Sequence, residues 1–425
     1  MKVKLYHPSI SEDKIKSFQR RINEIRDELE LARKGKEEEL VGWTFVEKFD
    51  SSLVKEIISQ ATNLKKEIEV LVAIGIGGSY MGGRAINDFA FPKGKLAQIG
   101  NPEIIFLGHH LSSMAVAETL AYLQSKEFGI CVISKSGNTL EPMVIFRLLR
   151  RLLVLQKGKE KAAKRIVAIT SLEGGALLDE SKKKGYHLLP VPENVAGRYS
   201  VLTPVGLFVM AMAGVRIDQI LKGASDCFSS LSSIEDVIKN PAYTYAIIRF
   251  ILHQSGFVNE LIVSNEDNLR FFLGWWQQLF AESEGKNWKG LLPISSIFTT
   301  DLHSLGQLIQ EGKRGKLFET IINFSETKKD LVLDQQILTG FAKETKEISL
   351  HKLNQLVLKA VIKAHSKGGI PVISLQMPKL DLYSLGYCFY FFMFACYFSS
   401  KLLGVDPFRQ SGVEIYKKEV KSLLK

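Results

Sequence analysis

The stretch "LVAIGIGGSYMGG", residues 71–83, decides how this chain folds. An apolar run ends in five glycines within nine residues, Gly75 to Gly83, with Ser79 among them. The run reads as a strand buried on both faces, and the glycines as a tight turn into a helix. Such a junction aims backbone N–H groups and a helix N-terminus at one spot, where an anion is well held. Working outward, short apolar strands recur in "EIIFLG" (103–108), "GICVISKSGNT" (129–139, ending in a polar loop) and "RIVAIT" (165–170). Helical stretches at 112–126 and "LEPMVIFRLLRRLLVLQ" (140–156) separate them. The alternation predicts a parallel sheet covered by helices on both faces.

The pattern returns in "ELIVSN" (260–265), "NLRFFLGWWQQLFAES" (268–283), "LFETIINFS" (317–325), "HKLNQLVLKAVIKAHS" (351–366) and "IPVISLQMP" (370–378). The expected fold class is therefore α/β, two parallel-sheet domains with a C-terminal helical arm. The boundaries read as an N-terminal helical segment 1–40, a first domain 41–215, a helical connector 216–240, a second domain 241–403 and the arm 404–425.

Composition agrees with a globular protein of two or three domains: 425 residues, 46% apolar and 24% charged. The net charge, 56 − 45 = +11, is spread along the chain mostly as lysine. It carries no RNA-binding aromatic signature and no zinc-finger spacing, so nucleic acid is not an expected partner. Cys131, Cys227, Cys388 and Cys396 form no CxxC pair. They read as buried free thiols in a reducing compartment. The start "MKVKLYHPSI" lacks the apolar core of a signal peptide, and the expected location is the cytoplasm. One stretch tests this: "LYSLGYCFYFFMFACYFSS" (382–400) has no charge and is nearly long enough to span a bilayer. It also holds four tyrosines, and a helix buried on all sides of a large α/β protein looks the same. The buried helix is the reading taken, with no membrane partner.

The opening loop fits no nucleotide fingerprint. A dinucleotide loop needs GxGxxG, and Tyr80 stands where the third glycine belongs. The next strand ends "FLGHH", without the carboxylate that grips a ribose. No GK[ST] follows to make a P-loop. Glycines serving helix–strand packing alone remain a plain alternative. The second loop, "SKSGNTLEP" (134–142), offers Ser134, Ser136, Asn138 and Thr139 as short donors, with Lys135 as a charge. Thr139 could cap the following helix. Four short polar donors in a row suit a phosphate held by hydroxyls and free N–H groups.

The second half carries sparser candidates. "ESEGK" (282–286) closes an aromatic helix, with Glu282 one turn after Gln278 on the same face. Glu282 could serve as a base, although a solvated helix end looks identical. His303 in "TTDLHSLGQ", Arg198 in "AGRYS", and Lys417 and Lys418 in "QSGVEIYKK" are each weak alone.

Together these segments resemble one family. "IGIGGSYMGGRA", "ISKSGNTLEP", "GRYSVLTPVGL", "ESEGKNWKG", "TTDLHSLGQLIQEG" and "QSGVEIYK" match, in order and spacing, the motifs of glucose-6-phosphate isomerases (phosphoglucose isomerases), compact bacterial type. The likeness covers residues 40 to 420. It implies two doubly wound sugar-isomerase (SIS) domains in a homodimer, and reversible isomerisation of glucose 6-phosphate and fructose 6-phosphate without metal or other cofactor. It implies that Glu282 is the base and His303 the ring-opening group, reaching in from the partner subunit. Lys417 would assist, and Arg198 would stabilise developing charge. Substrate contacts would fall on Gly78, Ser79, Ser134, Lys135, Ser136, Thr139, Gln278 and Gln410. The chain departs from the family where Arg409 replaces the usual acid before Gln410, and where "AGR" replaces "GGR". Two alternatives share the fold: an isomerase of another sugar phosphate, and a sugar-phosphate sensor without catalysis. Amino-sugar isomerases lack the "ESEGK…HSLGQ…GVE" set, and a sensor would be expected to carry a DNA-binding module for which the chain has no room.

Overall fold

The computed structural model describes residues 1–7, 10–35, 40–46, 49, 51–91, 100–334 and 348–424. It divides into two compact units, a contiguous one (28–228) and a composite one (1–27 with 229–425). The chain opens with strand β1 (Lys2–Tyr6) and helices α1 (Glu12–Lys16) and α2 (Gln19–Lys34). Next come α3 (Ser51–Lys65), β2 (Val70–Ile74), α4 (Met81–Ala90), β3 (Glu103–Leu107), α5 (Ser113–Leu123), β4 (Phe128–Ile133) and α6 (Leu140–Lys157). Then follow α7 (Lys159–Lys164), β5 (Ile166–Thr170), α8 (Ala176–Lys184), β6 (His187–Pro190), α9 (Pro204–Met212) and α10 (Ile217–Ser232).

The contiguous unit holds one five-stranded sheet, β3-β2-β4-β5-β6, parallel throughout. Every residue of β2, β4 and β5 is buried, as strands covered on both faces require. Val72, Ile74, Ile130 and Val132 from these strands pack with Phe146, Leu149 and Leu153 of α6.

The rest of the chain forms α11 (Pro241–Gln254), β7 (Asn259–Ser264), α12 (Arg270–Glu284), β8 (Leu292–Ile297), α13 (Leu302–Glu311) and β9 (Leu317–Thr327). It ends with β10 (Val332–Leu333), β11 (Ile348–Ser349), α14 (Leu350–Lys367), β12 (Val372–Leu380), α15 (Leu382–Leu402) and α16 (Val413–Leu423). The composite unit's sheet runs β1-β12-β9-β7-β8. Its strands are parallel except β1, which adds an antiparallel edge with Lys2 opposite Gln376 and Tyr6 opposite Val372.

Five strands were not expected from the sequence, among them β10 and β11, each two residues long and too short to leave a pattern. β1, "KVKLY", alternates lysine with apolar residues and lies half-exposed at an edge, so no apolar run announces it. β6 is four residues long and ends in Pro190, and β8, "LPISSI", carries a proline and two serines. The uncharged stretch at 382–400 is α15, and among the described residues it is the one helix long and apolar enough to cross a membrane. Its most apolar window is 89% buried inside the protein. Asp381 caps it through the Ser384 N–H at 2.9 Å, and Phe389 meets Trp275 of α12 edge-on at 4.5 Å. All four cysteines are buried thiols, none of them in a disulfide.

Candidate active site

In the contiguous unit the chain passes from β2 to β3 on one side, then returns to the other side of β2 as β4. Helices following neighbouring strands that wind in opposite directions leave a crevice at the strands' carboxyl ends. Both polar loops lie there. After β2 a 3₁₀ turn, Gly77–Ser79, leads into α4, with Gly77 in the left-handed region at φ +57. A Cβ on Gly78 would stand 2.0 Å from the Gly197 carbonyl oxygen. Only a glycine lets this turn close on the 3₁₀ segment Gly197–Leu202, which carries Arg198 at 2% exposure. Ser79 is partly exposed beside it.

The loop after β4 arranges its hydroxyls unevenly. Ser134 is buried, Thr139 half-buried and Ser136 exposed. The Ser134 and Thr139 hydroxyls are 3.3 Å apart, and the Ser136 hydroxyl accepts the Asn138 N–H at 3.3 Å. Thr139 stands at the N-cap of α6, yet its side chain makes no capping bond. The capping expected of it is replaced by the contact with Ser134. Lys135 donates to the carbonyls of Glu193 at 2.7 Å and Val195 at 3.4 Å, so its ammonium ties down the segment leading to Arg198.

His109, on the turn after β3, belongs to none of the motifs singled out in the sequence. Its ring lies flat on Tyr80, centroids 4.1 Å apart and planes within 5°. Burial, then the neighbouring charges of His110 and Arg84, lower its pKa to about 4, so it is neutral at pH 7. The signal was the "HH" itself, which drew notice only for not being an acid.

In the composite unit, α12 runs back from the carboxyl to the amino ends of the strands. Its last turn carries Glu282, whose Oε1 accepts the Gln278 Nε2–H at 2.9 Å from one turn earlier. Lys286 donates to the carbonyls of Glu282 (2.8 Å) and Ser283 (2.7 Å), closing the helix end. A cleft of about 840 Å³ opens here, lined by Glu282, Lys286, Trp288, Arg409 and Gln410 among others. Asn287 and Trp288 on its wall are both left-handed, at φ 53 and 59, a conformation that non-glycine residues rarely adopt.

The remaining candidates stand elsewhere. His303 is exposed in the first turn of α13, which follows β8 and so begins at the carboxyl end of the sheet. Glu282 sits at the other end, where α12 turns into β8, and six strand residues separate the two ends by about 20 Å. Lys417 lies on α16, outside the lining of the cleft, and its ammonium holds Glu414 Oε1 at 2.6 Å. That contact pulls the Glu414 carboxyl below its ordinary pKa. Thus Glu282 and Gln410 line one cleft, Gln278 reaches it only through its hydrogen bond to Glu282, and His303 and Lys417 do not line it. Among the described residues no three His, Cys, Asp or Glu side chains gather as a metal-ligand set.

Comparison with known proteins gives one consistent result. A family model described as phosphoglucose isomerase matches residues 43–425. The glucose-6-phosphate isomerase of Mycoplasma capricolum is 43% identical over 428 residues, covering 100% of this chain and 98% of that protein. That of Staphylococcus epidermidis is 43% identical over 378 residues, 88% of this chain and 84% of its own. In structure, a hypothetical protein from Thermus thermophilus superposes with a TM-score of 0.89 at 23% identity, covering 100% of both chains. A glucose-6-phosphate isomerase from Chlamydia trachomatis superposes with a TM-score of 0.81 at 19% identity, covering 99% of this chain and 88% of the other. At those identities the structural likeness speaks for the fold.

Proposed function

The chain belongs to the phosphoglucose isomerase family, and on that premise we propose that it interconverts glucose 6-phosphate and fructose 6-phosphate in glycolysis and gluconeogenesis. The observation that carries the reading is Glu282: a carboxylate at the mouth of a cleft, oriented through one oxygen by Gln278, on a helix end closed by Lys286.

The chemistry divides among the residues by type. The sugar arrives as a closed ring, and opening it moves the proton of the C1 hydroxyl to the ring oxygen. His303, assisted by Lys417, performs this transfer. Glu282 then takes the C2 proton, leaving a cis-enediolate with its charge on O1; the proton of the C2 hydroxyl passes to O1, and Glu282 returns its own proton to C1 as C2 becomes the ketone. Arg198 faces the developing negative charge, because a guanidinium stabilises it without giving up its own proton. The phosphate binds the N–H groups and hydroxyls of Gly78, Ser79, Ser134, Ser136 and Thr139, with Gln410 on the sugar, and this remote binding energy holds C2 over the base. Lys135 serves the phosphate loop by fixing the 193–195 segment. Neither a metal nor another cofactor takes part.

The protein works as a homodimer, with His303 completing the partner's site. Glu282 and His303 stand at opposite ends of one sheet, which supports this assignment. The four buried thiols suit a cytoplasmic enzyme.

The test is a coupled assay, with chelator present, that detects glucose 6-phosphate formed from fructose 6-phosphate. The wild type turns over, and Glu282→Gln loses about 10³-fold or more in kcat with KM little changed. Full activity in that variant refutes the assignment of the base, and turnover of a different sugar phosphate redirects the substrate. For the shared site, subunits of Glu282→Gln and His303→Gln are dissociated, mixed and reassembled. Half the dimers are then mixed and each has one intact site, restoring about a quarter of wild-type activity. No recovery places both residues in one subunit's site.

A further inference from the structure

We propose that Arg249, acting through Glu284, is a positioning residue that sets the orientation of Glu282; the inference rests on Glu282 being the base. Glu284 is the last residue of α12 and is fully buried. Both of its carboxylate oxygens are held by the Arg249 guanidinium, Nη1 to Oε1 at 2.5 Å and Nη2 to Oε2 at 3.0 Å. The same guanidinium lies 4.1 Å from the ring centroid of Phe280, one turn earlier on α12. Arg249 thus grips one face of the helix end at two successive turns.

Helical geometry puts residue 282 about 200° from both 280 and 284, on the opposite face with Gln278. The helix end therefore has an anchored face, Phe280 and Glu284, and an opposite face, Gln278 and Glu282, from which Glu282 lines the cleft. Any roll or fraying that released the first would swing the second.

The anchor is itself fixed from four directions. Arg249 Nε donates to Glu260 Oε2 of β7 at 2.6 Å, and Nη1 donates to the Ser399 hydroxyl of α15 at 2.5 Å. Tyr245 of α11 and Thr320 of β9 donate to Glu260 Oε1 at 2.7 and 2.6 Å. Burial, then the Glu260 carboxylate, push the Tyr245 phenol well above its ordinary pKa, so it remains a donor.

Stability alone does not account for such a cluster. Two carboxylates and one guanidinium are almost wholly withdrawn from water. Apolar residues of similar volume commonly hold a fold as well or better. What the cluster supplies is direction: a bidentate guanidinium–carboxylate pair fixes distance and plane together. A base needs that, because a misplacement of about 1 Å costs on the order of 10²-fold in rate.

The test uses the full-length enzyme and the triple variant Arg249→Met, Glu260→Gln, Glu284→Leu, which replaces the ion pairs while leaving Tyr245 and Thr320 an acceptor. Glu284→Gln, which keeps the shape and removes one charge, is the second variant and decides the matter should the triple variant not fold. Each is measured for Tm, kcat, KM and the fraction of deuterium lost to solvent per turnover of glucose 6-phosphate labelled at C2. The triple variant is expected to keep KM within about twofold and to lose about tenfold or more in kcat, with label loss raised because a looser Glu282 exchanges its deuteron before returning it. Glu284→Gln moves in the same direction by a smaller factor. A purely structural role would lower Tm without splitting kcat from KM or raising label loss. Wild-type kcat and label retention in a folded variant overturn the inference. Glu282→Gln is assayed in the same series: if it retains activity, the base assignment has failed and this inference falls with it, whereas its loss of activity beside unaffected anchor variants refutes the anchor alone.

Discussion

The two units solve the same architectural problem with opposite interiors. Among the described residues, the contiguous unit buries one charged side chain, Arg198, and otherwise packs Val, Ile, Leu and Phe beneath its loops. The composite unit buries Arg249, Glu260, Glu284, Glu319 and His365. The difference follows the tasks proposed for them. Holding a phosphate needs hydroxyls and N–H groups on turns, and a rigid apolar sheet supplies turns at little cost. Holding a base at the end of a helix needs directional contacts, and those come from paired charges inside.

The largest effect expected is at the exception. If Arg198 is buried for its charge, Arg198→Met costs about 10²-fold to 10³-fold in kcat, as loss of an oriented donor to a developing oxyanion does. An unchanged kcat would make Arg198 part of the packing and the contrast between the units complete. Next comes the loop. Ser134→Ala should raise KM for fructose 6-phosphate about tenfold with kcat nearly constant, the mark of a contact equal in ground and transition states. A fall in kcat instead would give the binding unit a share in the chemistry.

The smallest effect concerns pH. His109 has a folded-state pKa of about 4 against 6.5 for the free side chain. The unfolded chain therefore takes up a proton that the folded chain refuses between those values. The folded state is favoured above pH 6.5 and loses that stability progressively as pH falls to about 4. Between pH 7.5 and 5, Tm of the wild type should drop more than Tm of His109→Asn. Equal drops would show that the Tyr80–His109 stack admits the charged ring.

Most of the strands, the polar loops and the buried α15 were legible because each is written locally, in an apolar run, a glycine turn or a missing charge. What escaped depends on distant partners. β1 is a strand only because β12 offers it an edge, and nothing in "KVKLY" names that partner. The ion cluster left a trace in Arg249 amid "AIIRFIL", Glu260 opening "ELIVS" and Glu284 closing α12. A charge inside an element expected to be buried asks for a counter-charge, but the pairing required the fold. At the proposed site, motif order singled out Glu282 and Gln278 as candidates, while the Ser134–Thr139 contact and the hold of Lys135 on residues 193–195 depend on side-chain directions that spacing does not encode.

The edge strand β1 also bears on how the protein is made. Lys2 leaves the ribosome long before Gln376, its partner, has been translated. At about 5–20 residues per second the first strand waits roughly 20–75 seconds for its neighbour. Residues 28–228 form a unit uninterrupted in sequence, and they can close around their own sheet during that interval. The composite unit's sheet is completed later, when β12 emerges and recruits the early strand β1 beside it, with α15 and α16 still to follow.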